Sequence, residues 1–230
     1  HKIHMYNRFV HPDVYQIMRH FEQKGFIELT DFLEPSGVPD KLKTTPARTL
    51  EINMVNDCFY KYKSVYEFIV IIDPDEVMMP KRKNETKWED FLRSVPGDPG
   101  KFDYFSFRSV TFPPTFHAGF EGIPKYYYML QHFQRSTTFK EQPTLVFYQG
   151  KSIVRPENVL VVNQHGAVKC HNKVCKRTVM PENTWQLNHY RDTVASAKEN
   201  ITVLDTSLLK FKEMLMKNVE RTLRQTQFSV

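Results

Sequence analysis

Residues Glu67 to Pro80, EFIVIIDPDEVMMP, set Asp73, Asp75 and Glu76 directly behind five apolar residues, Phe68 to Ile72. Three carboxylates crowded at the end of a buried strand repel one another unless a cation lies between them. The apolar run predicts that strand, and Pro74 fixes the backbone just after it, so the carboxylates sit on a stiff turn. Ligands of open α/β sheets bind outside the carboxyl ends of the strands. The cation that suits hard oxygen donors and keeps positions open for a phosphate-bearing ligand is a divalent metal. A strand end with solvated acids and no ligand is the alternative the residues leave open.

The elements that must present this turn are read from periodicity. Residues 2–10 predict a short strand, and Pro12 with Asp13 opens a helix carrying Val14, Ile17, Met18 and Phe21 on one face, ended by Gly25. Phe26 to Leu29 predicts the next strand. Thr45 and Pro46 then start a helix through about Tyr62, with Leu50, Met54 and Cys58 on one face. Together with residues 68–72 this is a β-α-β-α-β run, expected to be parallel with crossover helices, although no glycine-rich phosphate loop accompanies it.

After Pro80 the pattern changes. Thr86 caps a short helix bearing Trp88, Phe91 and Leu92, and Phe102 to Phe107 alternates like an antiparallel strand. Pro124 begins a helix carrying Tyr126 to Tyr128. Short strands are expected at 144–148, 151–154 and 158–162, then a C-terminal helix with Leu204, Leu208, Phe211, Leu215, Val219 and Leu223 in one stripe. The expected class is α/β, a Rossmann-type mixed sheet flanked by helices. At 230 residues, a single domain over 1–230 is the default, divided into residues 1–80, 81–200 and a helical 201–230.

Hydrophobic residues at 40% and aromatics at 13% indicate an ordered globular chain, and no segment is long and apolar enough to span a bilayer. The net charge of +6 is scattered, and the densest cluster, Lys81-Arg82-Lys83, reads as a solvated loop or a phosphate contact rather than a nucleic-acid surface. Cys170 and Cys175 either pair in an oxidising compartment or join His171 on a zinc ion, while Cys58 reads as a core thiol. Two sequons, Asn84-Glu85-Thr86 and Asn200-Ile201-Thr202, lean towards the lumen of the secretory pathway.

The acidic turn, the antiparallel second half and a late histidine resemble the parts of a metal-dependent GT-A glycosyltransferase. More specifically, the chain resembles glycosyltransferase family 92. The segments that carry the likeness are Asn56-Asp57-Cys58, Asp73-Pro74-Asp75-Glu76, Trp88 with Phe91, Lys151 to Pro156 leading to His165, and Asn188-His189-Tyr190-Arg191. The resemblance implies a UDP-sugar donor (UDP-galactose in the better-known members), a manganese-like ion, a glycan acceptor and inversion at the anomeric carbon. It also implies a Golgi enzyme whose catalytic domain is lumenal and whose single membrane anchor lies outside this fragment. The family's first strand and helix are expected to precede His1. A truncated or inactive transferase-like domain that binds glycans or a partner is the alternative.

Carried onto these residues, the resemblance makes Asp75 the direct metal ligand, with Asp73 on the ribose or on the metal through water, and Glu76 holding the turn. His165 is expected as the remaining metal ligand. His189 and Arg191 are expected on the donor phosphates or the acceptor, with Lys151 and Arg155 as further phosphate contacts. An inverting reaction needs a base for the acceptor hydroxyl, and Glu121 and Asp192 are the candidates. Trp88, Trp185 and Tyr126 to Tyr128 either stack on sugar rings or pack in the core.

Overall fold

The computed structural model describes the chain except residues 8–9, 33–46, 114–121, 125, 137–149, 173, 192–200 and 227–230. In chain order the first elements are β1 (Ile3–Asn7), α1 (Pro12–Gln23), β2 (Ile27–Asp31), α2 (Ala47–Tyr62), β3 (Ile69–Val70) and β4 (Glu76–Pro80). β5 (Tyr104–Phe107), β6 (Ser109–Phe112), α3 (Tyr128–Gln131), β7 (Gln134–Ser136), β8 (Lys151–Val154) and β9 (Val159–Asn163) follow. The chain closes with β10 (Gly166–Cys170), β11 (Arg177–Val179), β12 (Trp185–Tyr190), β13 (Ile201–Leu204) and α4 (Lys212–Gln225). The class is mixed α/β, and none of the described helices is long and apolar enough to cross a membrane.

Contacts gather the chain into two compact units, His1–Met54 with Glu213–Val230, and Val55–Lys212. Neither edge falls at the expected divisions near 80 and 200. In the first unit, β1 and β2 pair in parallel from Ile3 opposite Ile27 to Asn7 opposite Asp31, joined through α1. Pro12 occupies the first turn of α1, where its missing N–H is not needed, and the His11 side chain accepts from the Asp13 N–H.

The second unit holds a four-stranded sheet in the order β11-β5-β8-β3 and a three-stranded sheet in the order β4-β12-β6. Phe68 to Ile72 alternate between two cores, as an extended segment covered on both faces must. Phe68, Val70 and Ile72 pack on the cluster that contains Met78, Phe91, Phe105, Phe107, Ile153 and Leu187. Ile69 and Ile71 pack with Phe59, Val154, Val159 and Val162. Only Ile69 and Val70 join a ladder, however, and they pair antiparallel with β8. This corrects the expected β-α-β-α-β parallel run: β3 lies in a different sheet from β1 and β2. Periodicity reports that a segment is buried and extended; it carries no information about which strand becomes its partner.

Other expectations shift at element ends. Residues 207–211 form a 3-10 helix before α4, and Leu204 lies on β13 with 64% exposure, so it leaves the predicted C-terminal stripe. Trp88–Ser94 is a 3-10 helix, and α3 begins at Tyr128. Trp185 is fully buried and Tyr127 buried, while Trp88 and Tyr126 are exposed. Cys170 and Cys175 form a disulfide, which excludes the zinc alternative; Cys58 takes no part in a disulfide. The expected strand at 144–148 lies outside the described residues.

Phe105 is fully buried and meets Phe68, Phe91 and Phe102 edge-on at centroid distances of 6.1, 4.9 and 6.3 Å. Phe105→Ala is expected to cost about 3–5 kcal/mol in urea denaturation. A loss below about 1 kcal/mol would show that these rings are not a shared core.

Candidate functional site

Asp73-Pro74-Asp75-Glu76 is a β-turn that carries the chain from β3, in one sheet, to β4, in the next. The Glu76 N–H donates to the Asp73 carbonyl at 3.1 Å, and the Asp73 N–H donates to Glu76 Oε2 at 3.1 Å. Pro74 stands at the second turn position, where its fixed φ suits the bend. The turn is thus closed twice, by backbone and by the Glu76 side chain.

Two further strands supply its partners. Lys151 opens β8, and its buried Nζ donates to Asp73 Oδ2 at 2.8 Å and lies 3.4 Å from Glu76 Oε2. His189, on β12, stands opposite Glu76 in the antiparallel β4–β12 register. Its Nε2 lies 3.2 Å from Asp75 Oδ2 and its Nδ1 3.7 Å from Glu76 Oε1. The next residue ties the backbones, since the Tyr190 N–H donates to the Asp75 carbonyl at 2.8 Å.

The turn faces two ways. Asp73 and Asp75 are 44% and 47% exposed at the side chain, whereas Glu76 is 4% exposed. Burial pushes the Glu76 carboxyl up to about 7, against the opposing pull of Lys151 and the Asp73 N–H. Burial also holds the His189 imidazole below its ordinary range, and Arg191 adds to this while Asp75 opposes it. At neutral pH His189 is therefore a neutral imidazole, one nitrogen towards Asp75 and the other towards Glu76.

β12 is itself held from its other face. Gln186 and Asn188 are fully buried, with Gln186 Nε2 donating to Asn188 Oδ1 at 2.6 Å and to Asp205 Oδ2 at 2.9 Å. Lys81 and Arg135 reach the same carboxylate oxygen at 2.7 and 2.9 Å. This network fixes the strand that aims His189 at the turn.

The predicted residues separate in space. Asp73, Asp75, Lys151 and His189 come together. Arg191 follows β12 with an exposed side chain, its N–H donating to the Phe112 carbonyl at 3.1 Å. His165 sits on the turn between β9 and β10, where its Nδ1 lies 2.8 Å from the Gly150 carbonyl and its own carbonyl accepts from Ser152 Oγ at 2.6 Å. None of these bonds reaches the acidic turn. Gly150 itself passes close to the neighbouring backbone, since a Cβ there would meet the Phe107 carbonyl at 2.1 Å.

Arg155 ends the β8 segment opposite Phe68, over whose ring its guanidinium lies at 5.4 Å. It borders a groove of about 320 Å³ lined by Lys63, Tyr66, Glu67, Pro156 and Glu157. The β3–β8 register places it four residues from Lys151, roughly 13 Å along the strand and away from the turn. Glu121 and Asp192 lie outside the described residues.

Among the described residues no group of three or more His, Cys, Asp or Glu side chains is arranged to hold a metal ion. Asp75 and His189 are a two-donor set, one carboxylate and one neutral imidazole, and Asp75 Oδ1 accepts no hydrogen bond from a described residue. That set suits a cation that takes its remaining ligands from a bound diphosphate and water. The sequence reading missed the pairing of Asp75 with His189, because it depends on the register of β4 against β12. The alternation of Trp185, Leu187 and His189 with polar residues was the available signal for a strand there.

The raised pKa of Glu76 has a consequence for stability. The folded state favours its protonated form, so that contribution is complete below about 4.5 and is lost as pH rises through about 7. Glu76→Gln, an isostere of the protonated acid, is expected to flatten the fall in melting temperature between about pH 5 and pH 8, measured with a chelator present. Parallel curves for both proteins would show that Glu76 titrates as an ordinary carboxylate.

Comparison with known proteins bears on this arrangement. The sequence profile of glycosyltransferase family 92 matches residues 1–230. A Caenorhabditis elegans protein named as a glycosyltransferase family 92 protein is 25% identical over 168 residues, covering 67% of this chain and 30% of the relative. The chain thus spans less than a third of the length of that relative. By its match along its whole length, the chain belongs to glycosyltransferase family 92.

Proposed function

We propose that this chain is the catalytic part of a metal-dependent inverting glycosyltransferase that moves galactose from UDP-galactose to a glycan acceptor. The observation that carries the reading is the convergence of Asp73, Asp75, Lys151 and His189 from β3, β4, β8 and β12 at one partly exposed turn. Family membership supports the transferase class.

Asp75 and His189 would hold a manganese or similar divalent ion, which when bound supplies positive charge to the diphosphate leaving group. Asp73 keeps one carboxylate oxygen on Lys151 and offers the other towards solvent, placed to accept from a ribose hydroxyl of the donor. Lys151 is not a phosphate contact in this account. Its buried ammonium offsets the charge of Asp73 and Glu76 and keeps the turn closed. Glu76 lies beside the ring, 3.7 Å from His189 Nδ1, while Nε2 is the nitrogen directed at Asp75.

Arg191, exposed beside His189, is placed to pair with a phosphate oxygen. A base then takes the proton of the acceptor hydroxyl as its oxygen attacks the anomeric carbon from the face opposite the nucleotide. Glu121 and Asp192 are the candidates for that role. The Cys170–Cys175 disulfide supports a lumenal, Golgi-type placement, since thiols pair and persist in oxidising compartments. A membrane anchor would lie outside this sequence.

A screen of nucleotide sugars against glycan acceptors, with and without manganese, tests the reading on the full-length protein. Manganese-dependent transfer from UDP-galactose is expected, with the product of inverted anomeric configuration. Asp75→Asn is expected to lower turnover by at least about 100-fold with little change in melting temperature, because its side chain is half exposed. Intact turnover in that variant would remove Asp75 from the site.

A further inference from the structure

The connection after β4 is held tightly on both sides of one exposed residue. Lys210 Nζ donates to the carbonyls of Pro80, Arg82 and Glu85 at 2.8, 3.0 and 3.1 Å, closing around residues 80–85. Glu85 is 2% exposed, with Ser94 Oγ and Arg82 NH1 each 3.4 Å from its Oε1. The Thr86 N–H donates to Asp90 Oδ2 at 2.9 Å. Between these anchors Asn84 is exposed on a turn. Neither its side-chain amide nor the Thr86 hydroxyl bonds to a described residue, so the fold gives these two side chains no structural task.

Asn84-Glu85-Thr86 has the spacing an N-glycan acceptor needs, an asparagine amide with a threonine hydroxyl two residues on and no proline between. A separate observation concerns the compartment: Cys170 and Cys175, far along the chain, are joined as a disulfide. The sequon is exposed at Asn84 and Thr86, and an oxidised cysteine pair suits the compartment in which asparagine glycosylation occurs.

We propose that Asn84 is itself N-glycosylated. The proposal rests on the lumenal placement in the reading above, but not on the catalytic roles assigned there. In the modification, Asn84 Nδ2 forms a bond to the anomeric carbon of a lipid-diphosphate-linked oligosaccharide. The bond from that carbon to the diphosphate breaks, the lipid diphosphate leaves, and the amide gives up one proton. Asn84 follows the Pro80 end of β4, whereas Glu76 and the acidic turn mark the other end. The strand separates them by roughly 13 Å, so a glycan at Asn84 leaves the turn open.

The test is peptide mapping of the full-length protein made in cells with an intact secretory pathway, before and after peptide N-glycosidase treatment in heavy-oxygen water. The expected result is a glycan on the Asn84 peptide, converted to labelled aspartate by the enzyme. Asn84→Gln is expected to remove one glycan from the intact mass while transfer activity and melting temperature stay near wild type. Two results would overturn the proposal. An unmodified Asn84 in protein whose Cys170–Cys175 disulfide is intact refutes the site alone. An unmodified Asn84 with both cysteines reduced refutes the lumenal placement as well.

Discussion

A carboxylate buried where the chain passes between two sheets organises this protein. Glu76 receives the Asp73 N–H on one side and faces Lys151 and His189 on others. Burial pushes its pKa up to about 7, a cost that the closed turn offsets only in part. Lys151 also ties Asp73 to β8, and His189 with the Tyr190 N–H ties Asp75 to β12. Because Glu76 takes the buried position, its two neighbours are turned outwards with free oxygens. The acidic turn is therefore one buried acid holding two exposed ones.

The two sheets have separate duties towards that turn. The β3–β8 ladder brings a cation from below, since Lys151 begins β8 just beyond the point where β3 ends. The β4–β12–β6 sheet brings the imidazole, and its far face is fastened by Gln186, Asn188 and the Asp205 carboxylate. Burial alone would push the Asp205 pKa up, but Lys81 and Ser207 outweigh it and hold the group well below the usual range. A strand with an ionic network on one side and His189 on the other leaves little freedom to the imidazole.

Much of this was legible in the residues. The apolar run at 68–72 announced a buried segment, Pro74 a stiff turn, and Glu76 a turn-holding acid, and all three are visible in the fold. The mixed α/β class could be read as well, whereas the residues left Cys170 and Cys175 open between a disulfide and a zinc site, and the fold pairs them. The register could not. The same run of five residues fits a parallel or an antiparallel partner, and only long-range contacts chose β8. For the same reason His165, embedded in a recognisable motif, looked better placed for a metal than His189. His165 instead meets the Gly150 carbonyl, and His189 meets Asp75. Arg155 shows the same limit: it follows Lys151 by four residues, yet a strand carries it to the other end of the sheet.

The claim that Asp75 and His189 form the donor pair is tested most directly by calorimetric titration of UDP in the presence and absence of manganese, on His189→Ala and His165→Ala proteins that melt cooperatively. His189→Ala is expected to lose the manganese-dependent heat of UDP binding, and His165→Ala to keep it. Retention of that heat in His189→Ala, with its loss in His165→Ala, would contradict the pairing.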